Sequence, residues 1–205
     1  MADKIRLGYF LEDSGHEEFI LGLVEHIAEE AGYHRQQLSN DVRNSTGGKG
    51  RVISALQKFL QELRVGDNNP FDFLIVAIDG NCTGFLQKRT EVQELAERSK
   101  FTGNIICAIP DPHIEHWYMA DPLSFKKATD LDSQPVPPKY KCEKEIYKKA
   151  LIEAFAKCGV IPPLDGIEYG RNFALEMNLY DACQRCPSLG HFVDEVRTAL
   201  ASVLR

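Results

Sequence analysis

The sequence predicts an α/β protein, a mainly parallel sheet flanked by helices with a helical portion at its C-terminal end. Three observations carry this. Short continuous apolar runs suited to strands buried on both faces alternate with longer segments of helical periodicity, "FDFLIVAID" at residues 71–79 being the clearest run. The intervening segments are long enough for the crossover connections that parallel neighbours require. From residue 121 onward the strand-like runs stop and helical patterns take over.

In order along the chain, "IRLGYFL" (5–11) reads as a strand, followed by a helix in which Phe19, Ile20, Leu23 and Ile27 recur at helical spacing. A second strand is expected within "HRQQLSNDVRN" (34–44). Helical periodicity then returns through Val52, Leu56, Phe59, Leu60 and Leu63. The run 71–79 lies between "DNNP" and "GNCTG", both turn-rich, and a helix over 85–98 follows it. "NIICAIP" (104–110) is the last strand, stopped by Pro110 and Pro112. After the polar, proline-bearing "DSQPVPPKYK", helices are expected over 144–157, 168–180 and 188–203. This divides the chain into an α/β core over 1–122 and a linker with C-terminal helices over 123–205, packed on the core as one unit.

A chain of 205 residues with 43% hydrophobic and 26% charged residues can bury a full core. It has no run of about 20 apolar residues to span a bilayer, and "MADKIRLGYF" lacks a signal peptide's apolar core, so a cytoplasmic location without a membrane partner is expected. Six cysteines without framework spacing read as reduced thiols. A net charge of −6 argues against a protein that coats duplex DNA, since such binding relies on Lys and Arg neutralising phosphates. Nucleic-acid contact therefore calls for a local basic patch. Candidates are Lys88 with Arg89, Lys126 with Lys127, the lysines from Lys139 onward, and Lys49 with Arg51 in "STGGKGR", which lacks the spacing of a Walker phosphate loop.

Acids stand where the strands end. Glu12 follows the first strand, Asp79 closes the run 71–79, and Asp111 and Glu115 follow the last strand. In open α/β sheets, sites gather beyond the carboxyl ends of the strands, and hard divalent cations take oxygen ligands from a few carboxylates. The competing explanation is that such acids cap helices. Acids at all three strand ends favour a site for magnesium. Cys183 and Cys186 have the spacing of a zinc pair, but no second pair completes a tetrahedral set, so no zinc is expected there. His113 and His116 are read as hydrogen-bonded side chains, and Trp117 as packing the segment after the last strand against the core.

"YFLEDSGHEEFILGL" (9–23) resembles the strand, glutamate, loop and acidic helix start of Toprim domains, and "LIVAIDGNCTG" (74–84) is similar to their second motif, an apolar strand ending Asp-x-Asp. "AIPDPHIEHWYMADPLSF" (108–125) and "CPSLGHFVDEVRTAL" (186–200) resemble segments of a small Toprim-like family often encoded beside ATPases. The resemblance implies a Rossmann-like Toprim fold and a nuclease using Mg²⁺ or Mn²⁺. It casts Glu12 as the catalytic glutamate and Glu12, Asp79, Asn81 and Glu115 as the metal-holding set. Glu17 or His16 becomes a proton shuttle, and Lys139 stands beside the phosphates. It also implies a nucleic-acid substrate, DNA ahead of RNA, and an ATPase partner in a defence or repair system. The sequence departs from the pattern at three points. Asp13 replaces the usual glycine, His16 stands where an acid is expected, with Glu17 beside it, and Asn81 replaces the second aspartate, removing one formal charge. The alternatives are a non-catalytic binding subunit that kept this fold, and a nucleotide-binding domain.

Overall fold

The structure is a computed structural model describing residues 4–45, 51–65 and 70–203. Four strands, β1 (Ile5–Leu11), β2 (Leu38–Asn44), β3 (Phe73–Ala77) and β4 (Ile105–Ala108), form one sheet in the order β2-β1-β3-β4. Every pairing is parallel, with Leu7 opposite Phe73, Ile5 opposite Leu38, and Leu74 opposite Ile105. The expected α/β class with a parallel sheet is thus the observed one.

Alternation along the strands sorts side chains to two faces, as the two-residue repeat of a strand requires. Leu7, Tyr9, Leu11, Ile75 and Ala77 join one buried cluster, while Phe10, Leu74, Val76 and Ile78 join another. The helix α1 (Ser14–Glu30) covers the first face through Phe19, Ile20, Leu23 and Ile27. On the second face lie α2 (Val52–Val65), through Leu56, Phe59 and Leu60, and α3 (Phe85–Arg98), through Val92 and Leu95. Both faces are covered at β1, β3 and β4, which is why these strands read as continuous apolar runs, whereas the edge strand β2 is polar and largely exposed.

The remaining helices are α4 (Ile114–Tyr118), α5 (Pro122–Thr129), α6 (Lys144–Ala156), α7 (Gly170–Glu176), α8 (Leu179–Arg185) and α9 (Pro187–Val203). They enlarge the cluster on the α1 face, where Trp117, Phe125, Phe155, Phe173 and Phe192 are fully covered. Trp117 packs as expected, its ring stacked on Phe192 and its Nε1–H donated to Ser188 Oγ at 2.9 Å.

Two expectations need correction. The single helix anticipated over 168–180 is split between α7 and α8 by Met177 and Asn178. Met177 is extended, and Asn178 caps α8 by accepting from the Asp181 amide while its own amide donates to Asp121 Oδ2 at 2.9 Å. The cysteines are not all free thiols, since Cys82 and Cys142 form a disulfide across 60 residues of sequence. Their separation gave no local spacing signal, because tertiary folding alone brings the segment before α6 against the loop after β3.

Candidate metal centre

The sheet order fixes the site's address. The chain passes from β1 outward to β2, then crosses β1 to reach β3, so the connections leave β1 and β3 in opposite directions. Their carboxyl ends flank the crevice where ligands bind in doubly wound sheets. Glu12 follows β1 and Asp79 lies two residues beyond β3, in direct contact: the Asp79 amide donates to Glu12 Oε2 at 2.8 Å.

The capping role weighed for Glu12 belongs to its neighbour. Asp13 is the N-cap of α1, its Oδ1 accepting from the amides of Gly15 at 3.0 Å and His16 at 3.3 Å. The departure from glycine at this position therefore supplies a cap. The same oxygen receives His16 Nδ1 at 2.9 Å, which orients the imidazole inward so that Nε2 meets Asp79 Oδ1 at 3.2 Å. Tyr118 anchors the turn from below by donating its hydroxyl to the Gly15 carbonyl at 2.5 Å.

Asp79 is buried, 2% exposed, and is held from several sides. Besides His16, its Oδ1 accepts from the Ile114 amide at 2.9 Å at the start of α4, and Oδ2 accepts from His113 Nδ1 at 3.0 Å. His113 Nε2 in turn donates to the Cys142 carbonyl at 3.1 Å. Each imidazole thus faces acceptors through both nitrogens, which requires both nitrogens to carry protons. Burial by itself would lower His16, but the charges and hydrogen bonds of Asp79 and Asp13 outweigh it and raise the ring to about 10. Burial would raise Asp79, but His16 and His113 hold it well below the usual carboxylate range. Glu12 shifts upward, chiefly through burial and then through the nearby Asp79 charge.

Glu12, His16 and Asp79 each offer a ligand atom, all within 4.8 Å of one another, so the cluster could hold a metal ion. Its two carboxylates and imidazole are ordinary divalent-cation donors. To ligate through Nε2, His16 must release a proton, so proton and cation compete for one lone pair.

The other sequence-predicted residues fall as follows. Glu17, in the first turn of α1, receives a hydrogen bond from Asn44 Nδ2 at the end of β2. Asn81 adopts φ 50°, a left-handed conformation that asparagine tolerates, and its Nδ2 donates to the Asp79 carbonyl at 3.1 Å, closing the turn. Glu115 is buried on α4, where its charge helps raise His113. Lys139 is exposed on the segment before α6. Lys88 pairs with Glu91 at 2.7 Å, Arg89 with Glu195 at 2.6 Å, and Lys126 with Asp132 at 2.5 Å, so internal carboxylates engage these three cations. Lys127 and Arg51 are exposed, and Lys49 lies outside the described residues. Cys186 is buried with its Sγ 3.9 Å from His116 Nδ1, and Cys183 lies half-buried on α8. His113 is the residue that sequence reasoning left out of the site; its position two residues after Asp111 at a strand end was the available signal. Among the described residues no helix is long and apolar enough to cross a membrane.

Comparison with curated proteins and with solved structures returned no match. Residues 11–197 match the model of one family, from the last residue of β1 into α9, a span containing the whole cluster and the helices behind it. The chain therefore belongs to the family described as Domain of unknown function (DUF4276).

Proposed function

We propose that this protein is a metal-dependent phosphodiesterase of Toprim type acting on nucleic acid, an effector subunit of an ATPase-linked system. One observation carries the reading: Glu12, His16 and Asp79 converge within 4.8 Å at the carboxyl ends of two adjacent parallel strands, where the sheet order reverses. Glu12, His16 and Asp79 would hold the ion. Because the donor set includes imidazole, Mn²⁺ suits it better than Mg²⁺, which favours oxygen ligands and retained waters. A divalent cation at such a site supplies charge to polarise a phosphodiester and acidify a water.

The chain's own groups divide the remaining work. Glu12 Oε2 is committed to the Asp79 amide, which fixes the carboxylate beside Asp79. Asp13 and His113 act as positioning residues, one setting the His16 ring and the other the Asp79 carboxylate. Lys139, exposed three residues before Cys142 on the segment whose Cys142 carbonyl accepts from His113, would offset phosphate charge.

The test is calorimetric titration with Mn²⁺ and Mg²⁺, together with cleavage assays on labelled DNA and RNA, using wild type and Glu12→Gln. Saturable binding near one ion per chain and cleavage abolished by EDTA are expected, both lost in Glu12→Gln. Unchanged Mn²⁺ affinity in the variant rejects the site. A second reading, a binding subunit whose polar centre is structural, is favoured by the three hydrogen bonds that Asp79 already accepts from protein donors. It predicts no saturable metal binding in the wild type.

A further inference from the structure

The chain between α5 and α6 has no regular secondary structure, yet its last residues are held by four separate ties, three of them to the segments around the site and one to α6. Tyr140 donates its hydroxyl to Asp111 Oδ1 at 2.8 Å, and the Lys141 amide donates to the Tyr147 hydroxyl at 3.0 Å. Cys142 is bonded to Cys82, three residues beyond Asp79. The Cys142 carbonyl accepts from His113, whose other nitrogen holds Asp79, so one imidazole ring separates this strap from the candidate metal centre. Ordering a loop costs conformational entropy, and four ties within three residues offset that cost and fix its shape. The strap's outer side is open: Tyr140 is 60% exposed although its hydroxyl is tethered, and Lys139 and Lys141 on either side are exposed.

A tethered, exposed aromatic ring flanked in the chain by two exposed lysines, on a strap joined to the candidate metal centre through His113, matches one ligand chemistry. We propose that Lys139–Lys141 is a seat for an unpaired nucleotide strand, with the Tyr140 ring stacking on a base and the two lysines holding adjacent phosphates. The inference rests on the phosphodiesterase reading and narrows its substrate to single-stranded nucleic acid. The ring needs a base with a free face, which the interior of a duplex does not offer, and the net charge of −6 disfavours broad contact with duplex backbone. Three cations of the other candidate basic patches, Lys88, Arg89 and Lys126, are engaged by acids. Trp117 is buried and cannot stack on a ligand, whereas the Tyr140 ring is exposed.

The experiment is fluorescence anisotropy on the full chain in EDTA, where cleavage does not intervene, with labelled single-stranded DNA, single-stranded RNA and a DNA duplex of the same sequence. At least one single strand should bind more tightly than the duplex. Tyr140→Ala should weaken that binding about tenfold, as loss of one stacked base predicts, while Tyr140→Phe should stay within about twofold. Lys139→Ala with Lys141→Ala should flatten the salt dependence. Equal binding of all three probes, indifference to Tyr140→Ala, or an equal loss in Tyr140→Phe would overturn the proposal, the last because it assigns the effect to the hydroxyl tether. Failure of the enzyme reading is seen separately. Ring-dependent binding without Mn²⁺ affinity leaves the seat and removes the enzyme, whereas Mn²⁺-dependent cleavage indifferent to Tyr140→Ala removes the seat alone.

Discussion

At the scale of single residues, two neighbouring acids at the end of β1 have been given different work. Asp13 caps α1 and fixes His16, whereas Glu12 reaches across to the Asp79 amide. Their variants should therefore separate. Asp13→Ala removes a cap typically worth about 1 kcal/mol and a charged partner of His16, so its urea midpoint should fall by the equivalent of roughly 2 kcal/mol. Glu12→Gln keeps an acceptor for the Asp79 amide and should shift stability by less than about 0.5 kcal/mol. The reverse order would give the cap to Glu12. A second residue-scale prediction lies far from the site, where Arg6 donates its amide and guanidinium to Asp72, each at 2.8 Å, and holds that carboxyl below its ordinary range. A carboxyl depressed in the folded state contributes stability above its unfolded value of about 3.9 and loses it as pH falls through the folded value. The stability difference between wild type and Asp72→Asn should shrink as pH is lowered from 5 toward 2. Because the pair is exposed, that difference should stay below about 1 kcal/mol. Acid unfolding curves that run parallel for the two proteins would show that Arg6 contributes nothing through charge.

At the scale of elements, the buried strands were legible because both sheet faces are covered and their apolar runs are continuous. The start of α3 at Phe85 and the glycine-rich turn before it were legible for the same kind of local reason. Glu12 and Asp79 could be paired in advance, since strand ends in a parallel sheet point one way. His113, Cys142 and the break at Met177 could not, because each depends on a partner distant in sequence: Asp79, Cys82 and Asp121 respectively. His16 was noticed only as a departure from an acid, and its role appears only once Asp13 and Asp79 are seen on its two nitrogens. The disulfide gives this scale its test. Closing a loop of 60 residues lowers the entropy of the unfolded chain by an amount worth about 4 kcal/mol in the simple chain model. Cys82→Ser with Cys142→Ser should reduce stability against urea by about 2–4 kcal/mol, measured beside oxidised wild type. An unchanged midpoint would mean that the strap is held by Tyr140, Lys141 and His113 without the bond.

At the scale of the whole molecule, the question is whether the α/β part over residues 1–122 stands alone or needs the helices that follow. The composition change near residue 121 marks where the sheet-forming segment ends, but the packing ignores that boundary. One buried cluster joins Tyr9, Phe19, Leu23 and Ile75 from the sheet side to Phe155, Phe173, Phe192 and Val196 from the C-terminal helices. Gly22 on α1 shows how close the contact is, since a Cβ there would lie 3.0 Å from the Arg171 carbonyl and 3.2 Å from the Ala174 side chain. Arg171 on α7 also pairs with the buried Glu25 on α1, which would lose this partner if α7 were removed. Each large apolar side chain left uncovered costs about 1.5–3 kcal/mol, so exposing as few as six costs on the order of 10 kcal/mol. That equals the whole stability of an ordinary domain, about 5–15 kcal/mol. A fragment ending at residue 122 should therefore fail to fold cooperatively, giving poor amide dispersion by NMR and no sigmoidal urea transition, while the full chain unfolds in one step. Adding residues 123–205 as a separate polypeptide should restore dispersion if the surfaces still meet. A fragment 1–122 with native-like dispersion and its own sharp transition would show two independent domains, and the helices would then be an attachment to the site instead of the floor on which α1, and with it His16, is seated.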